Sequence, residues 1–151
     1  MGGRGVTYSA RSIASSLVKL STEHKLWISN LKLQKLLYFS WIEYYREHNG
    51  AYLFNDDIEA WKYGPVVPSV YYEYWCNASN TLFVPKRSPE IVDEDTQKFL
   101  LKMLRKFNDK GVGCMIELSH RTKPWIDNYE VRAKNTIPMK AMKEEALHSS
   151  I

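Results

Sequence analysis

LKLQKLLYFSWIEYYREH, Leu31 to His48, is the stretch on which the reading of this chain turns. Asn30 before it is a good N-cap and Asn49-Gly50 after it a natural stop, so a helix is predicted between them. At about 100° per residue, Leu33, Leu36, Leu37, Ser40, Trp41 and Tyr44 fill one broad face. Leu31, Tyr38, Ile42 and Tyr45 widen it. Lys32, Lys35, Glu43, Arg46 and Glu47 are confined to a narrow polar arc. A helix apolar over most of its circumference is buried on most sides, so this one is expected at the centre of the domain. Two residues sit against the pattern. Gln34 falls on the apolar side, where a buried amide must find partners, and is expected to anchor a neighbouring backbone. Phe39 falls on the polar arc, covered by another element or exposed for a partner.

Working outward, Ser9 is expected to cap a helix with Ala10, Ile13, Ala14, Leu17 and Leu20 on one side, ending in a loop from Ser21 to Lys25. After the central helix the period changes. Tyr52-Leu53-Phe54 and Ile58 to Tyr63 flank the turn-prone pair Asn55-Asp56, which predicts a short β-hairpin. Gly64-Pro65 ends its second strand, and Pro68 opens a helix reaching to about Asn77. Asp93 caps a helix whose buried face is Phe99, Leu100, Met103, Leu104 and Phe107. Shorter helices follow at Cys114–Ser119 and Pro124–Tyr129, and a last one from about Pro138. The predicted class is α+β, predominantly α-helical: a central buried helix surrounded by helices, with one small hairpin. Residues 1–8 read as a flexible start and 9–148 as one domain.

The chain has 151 residues, 44% hydrophobic, 25% charged and 13% aromatic. That is globular composition at one domain's length. No apolar run approaches the ~20 residues of a membrane span, and no apolar segment follows the Gly-rich start as a signal peptide requires. Cys76 and Cys114 form no disulfide framework, which suits a reducing, cytoplasmic setting. The net charge of +4 permits an acidic partner or nucleic acid without requiring either. Lys98, Lys102 and Arg105 form a basic stripe, more simply a solvated helix face, so nucleic-acid binding is a weaker alternative.

Chemistry-bearing constellations are sparse. His24, His48, His120 and His148 have no second ligand at metal-binding spacing, so neither metal nor cofactor is predicted. Ser119-His120 and Cys114 lie close in sequence but without a nucleophile elbow. His120 reads as the cationic end of a helix.

Three motifs nevertheless resemble one family. Leu31 to Phe39 is similar to the first motif of the Panacea domain, the antitoxin SocA-like family, often called phage-associated protein. Ile58-Glu59-Ala60-Trp61-Lys62-Tyr63-Gly64-Pro65-Val66-Val67-Pro68 resembles its second and most specific motif. Leu118-Ser119-His120 with Pro124-Trp125 resembles its third, with Ser119 where the family commonly has threonine and a more basic Arg121-Thr122-Lys123. The similarity runs from about Ser9 to Leu147. It implies a cytoplasmic bacterial or prophage protein that binds and neutralises a toxin encoded beside it. The family's toxins are diverse, and at least one member instead delivers its toxin to an ATP-dependent protease. No enzyme activity is established for the domain as a class, and none is predicted here. Self-association is left open.

Within these motifs, Leu33, Gln34, Leu36, Leu37, Tyr38, Glu59, Trp61, Gly64, Pro65, Pro124 and Trp125 are expected to be scaffold. Trp61 is expected mostly in the core, and Gly64-Pro65 to turn the chain from hairpin to helix. Lys35, Phe39, Lys62, Tyr63 and His120 are the candidates for partner contact, since unpaired lysines are poor core material. The competing expectation pairs the lysines internally, for instance with Glu59.

Overall fold

The computed structural model describes residues 7–77 and 80–148. Most of the predicted flexible start lies outside them, but Tyr8 does not. It is buried, its N–H donates to the Leu53 carbonyl and its hydroxyl donates to Asp93 at 2.6 Å, so it belongs to the domain.

Helix α1, Ala10–Glu23, is capped by the Ser9 side chain and runs three residues into the expected loop. Helix α2, Asn30–Glu47, is the central helix. Its cap is Ser29, whose hydroxyl accepts from the Lys32 N–H at 3.2 Å. Asn30 is instead the first helical residue: its Nδ2 donates to the Tyr71 carbonyl at 3.1 Å, and its Oδ1 accepts from Gln34. The ten consecutive residues from Leu33 to Ile42 are all buried.

Strands β1, Glu59–Trp61, and β2, Gly64–Val66, form an antiparallel hairpin. Its turn is Lys62-Tyr63, not Asn55-Asp56. Asn55-Asp56 cannot serve as a hairpin turn because its neighbours are engaged elsewhere. The Phe54 carbonyl accepts from the Trp41 indole at 2.8 Å, and Asp56 accepts from the Ala10 N–H at 2.9 Å. A carboxylate at the start of α1 also suits the helix dipole. Gly64-Pro65 therefore lies inside a strand instead of ending one. A third strand that the sequence did not announce, β3, Asn135–Thr136, pairs antiparallel with β1, giving the order β2-β1-β3.

Helix α3, Pro68–Tyr74, opens on its proline and continues as a 3-10 turn, Trp75–Asn77. Helix α4, Glu94–Lys106, is capped by Asp93 and buries the predicted face. Helices α5, Val112–His120, α6, Lys123–Asn128, and α7, Met139–His148, complete the chain. Helix α2 touches α1, α3, α4, α5, α7 and β2, so the fold is α+β and predominantly helical, wrapped round one helix. Among the described residues no helix is long and apolar enough to cross a membrane, and no group of His, Cys, Asp or Glu could hold a metal ion.

The polar arc of α2 is the main correction. Phe39 is buried and stacks on Phe107, the C-cap of α4, with ring centroids 5.3 Å apart. Lys35 is wholly buried as well. Neither is exposed for a partner.

Candidate functional site

The three motifs meet at the β1–β2 hairpin. Two consecutive residues of α2 grip β2 from inside. Gln34 Oε1 accepts from the Val67 N–H at 2.9 Å, and its Nε2 donates to Asn30 at 2.9 Å. The amide thus anchors a backbone, as expected. Lys35 Nζ donates to the Pro65 carbonyl at 3.0 Å. Glu59 is not its partner, since that carboxylate accepts from the Trp61 indole at 2.8 Å. Burial without a carboxylate beside it pushes the Lys35 amine down to about 7. Pro65 has no N–H to satisfy, so a proline in this strand costs no hydrogen bond on the side facing α2.

Gly64 sets how closely β2 approaches. Its φ is +107°, and a Cβ there would lie 2.6 Å from both Lys35 Cε and Ser119 Oγ. Only glycine fits both the conformation and the space. The third motif closes the other side. Trp125 Nε1 donates to the Trp61 carbonyl at 2.8 Å, and Tyr38 and Thr122 share a hydrogen bond of 2.7 Å between hydroxyls. Thr122 Oγ1 donates to the Ser119 carbonyl at 2.6 Å, while Ser119 Oγ donates to Ile116 at 2.7 Å. The Ser119 proton is committed to a backbone carbonyl, which does not suit a nucleophile.

His120 ends α5, as expected, with its ring stacked on Trp125 at 3.9 Å between centroids. Trp125 stacks in turn on Tyr129 at 4.6 Å. Burial holds His120 below its ordinary pKa. The Lys35 charge acts in the same direction, while a hydrogen bond with the Lys62 backbone and the Glu117 charge oppose it. A helix-ending imidazolium is therefore not what this environment favours; the imidazole serves as a packed ring.

The outer side is different in kind. Lys62 and Tyr63, in the turn, are exposed, with Lys62 Nζ 5.4 Å from the Tyr63 ring centroid. Trp61 is only half-buried, against expectation: along β1 the buried residue is Ala60, and Glu59 and Trp61 share the other face of the strand. Its ring meets Tyr71 edge-on at 4.9 Å and Tyr72 at 6.2 Å. Lys134, just before β3, sits 4.3 Å above the Trp61 ring and donates to the Tyr72 hydroxyl at 3.3 Å. Tyr71, Tyr72 and Lys134 were missed as site residues. The tyrosines read as ordinary helix residues, and only β3 pairing brings Lys134 beside Trp61.

Elsewhere the charges are more settled. The basic stripe of α4 is partly paired, Lys102 with Glu47 at 2.6 Å and Lys98 with Glu94 at 3.4 Å. A cavity of about 450 Å³ between α6 and α7 is lined by Lys123, Pro124, Asp127, Ala141, Glu144, Glu145 and His148.

Comparison with known proteins agrees with where the motifs converge. The family described as "Antitoxin SocA-like, Panacea domain" matches residues 33–126, which contain the hairpin and its three supports. The chain belongs to this family. Antitoxin SocA of Caulobacter vibrioides (strain NA1000 / CB15N) is 29% identical over 128 residues, covering 77% of this chain and 68% of the relative. No solved structure matches. The Panacea motifs in this chain thus coincide with one structural unit: a hairpin fixed from inside by Gln34, Lys35 and Gly64 and from the side by Trp125.

Proposed function

We propose that this chain is an antitoxin that neutralises a toxin encoded beside it by direct contact, through the exposed end of the motif hairpin. The observation that carries this reading is the pairing of family membership with a rigidly held turn that presents Lys62 and Tyr63 to solvent. A fixed turn lowers the ordering cost of binding, and exposed aromatic and cationic side chains are the usual anchors of an interface. Lys35, Phe39 and most of His120 act from beneath as scaffold. The domain spans residues 9–148 with Tyr8 added, and the setting is the bacterial cytoplasm, where the toxin is made.

Co-expression with the product of the adjacent gene tests the reading. Growth should be restored, and the two proteins should co-purify at a fixed ratio. Toxin that disappears from protease-competent cells but persists in protease-deficient ones would assign delivery to an ATP-dependent protease instead. A neighbour that is harmless alone, or equally toxic with and without this chain, would refute the antitoxin role.

A further inference from the structure

The outer face of the sheet gathers an aromatic shelf from three separate segments: Trp61 of β1, Tyr71 and Tyr72 of α3, and Lys134 ahead of β3. Tyr72 is 54% exposed and Tyr63, in the adjoining turn, also 54%. Lys134 holds one place on this shelf through the ring face of Trp61 and the Tyr72 hydroxyl. An ammonium has three donors, and a phenol can donate as well as accept, so a carboxylate set between Lys134 and Tyr72 would be bound by both.

Among the described residues, Lys62, Arg132 and Lys134 have no carboxylate within ion-pair distance. Two carboxylates nearby each accept from a neutral donor and keep their charge. Glu59 accepts from the Trp61 indole, and Glu130 accepts from Asn135 Nδ2 at 2.9 Å. We propose that the shelf of Trp61, Tyr72 and Lys134 receives an acidic, aromatic-compatible segment of the toxin, its carboxylates meeting Lys134 and Lys62 while its apolar atoms cover the rings. This deepens the antitoxin reading and rests on it. A protein segment fits better than a nucleic acid. Duplex binding draws its affinity from a row of cations along the phosphates, whereas here Glu59 and Glu130 interrupt the row.

The test uses the full chain, with the purified product of the adjacent gene as probe. Lys134→Glu and Tyr72→Ala alter exposed side chains and should leave the circular dichroism and melting curve unchanged. Each should weaken the complex at least tenfold. Lys134→Glu should also flatten the salt dependence of affinity, because one ionic contact is removed. Reversing the toxin's own acidic cluster to lysine should restore binding to Lys134→Glu but not to the wild type. Wild-type affinity in both variants would overturn the shelf while leaving neutralisation, and so the antitoxin reading, intact. Failure of the wild-type chain to bind or neutralise would remove both. Two further results would reassign the surface. One is binding of a labelled DNA duplex or poly(U) at physiological salt that Lys134→Glu abolishes. The other is a wild-type dimer that the same variant converts to monomer.

Discussion

On its inner side the β1–β2 hairpin rests on Gln34, Lys35 and Ser119, all wholly buried. On its outer side Trp61 is partly buried, and Tyr63 and Tyr72 face solvent. Both sides are rich in polar and aromatic groups, yet they use them differently. Inside, nearly every polar atom is matched to one backbone group: amide to Val67, amine to Pro65, indole to the Trp61 carbonyl. Outside, the contacts are ring faces and a cation, which tolerate replacement by a partner's atoms. Within one motif, then, the residues that fix the hairpin and those available to a partner are different residues. A polar group in a family motif is not by that fact a contact residue.

Five substitutions would break or sharpen this contrast. The largest effect is expected for Gly64→Ala. It forces a left-handed φ on alanine and drives a methyl into Lys35 and Ser119. A loss of about 3 kcal/mol or more is expected in urea unfolding. A near-normal midpoint would mean that β2 can retreat from α2 and that the inner side is looser than described.

Gln34→Leu comes next. It strands the Val67 N–H and the side-chain Oδ1 of Asn30 in the core, at about 2 kcal/mol by thermal or urea unfolding, although it adds apolar surface. An unchanged melting temperature would show that neither group depends on the amide.

Trp61→Ala tests the boundary between the two sides. A fully buried tryptophan costs about 3–5 kcal/mol on truncation. Because this ring is only partly buried, about 1–2 kcal/mol is expected, with a larger proportional loss of toxin binding. A stability loss at the top of the buried range would place Trp61 functionally on the inner side.

The buried lysine gives a pH signature. The folded protein releases the Lys35 proton near 7, whereas the unfolded chain holds it to about 10.5. Between those values the unfolded state binds more protons, so stability rises with pH, by up to about 1.4 kcal/mol per unit. The destabilising cost of the buried charge is complete below that window. Lys35→Met should remove the rise between pH 7 and 9, where the raised tyrosine hydroxyls of Tyr38 and Tyr74 do not yet titrate. An identical slope in the variant would place the titration elsewhere. By contrast, Lys62→Glu is expected to change stability by less than about 0.5 kcal/mol, since the side chain is exposed and unpaired with any described carboxylate. Its effect should appear only in protection against the toxin.

The amino-acid sequence by itself determined the central helix, the helical class and the anchoring role of Gln34. Each follows from local periodicity or from the need of a buried amide for partners, and both are visible within one turn of helix. The motifs likewise pointed to the Panacea family without any geometry. Tertiary structure alone decided that Lys35 is buried, because a lysine's depth depends on whether another element supplies an acceptor, and here that acceptor is the Pro65 carbonyl thirty residues away. It also decided where the hairpin turns. Asn55-Asp56 has the better turn chemistry, but Asp56 is drawn to the start of α1 and Phe54 to Trp41, leaving Lys62-Tyr63 to reverse the chain. The outer shelf was beyond sequence reasoning for the same reason. Lys134 reaches Trp61 only because two residues, Asn135 and Thr136, pair with β1, and so short a strand carries no alternation that could announce it.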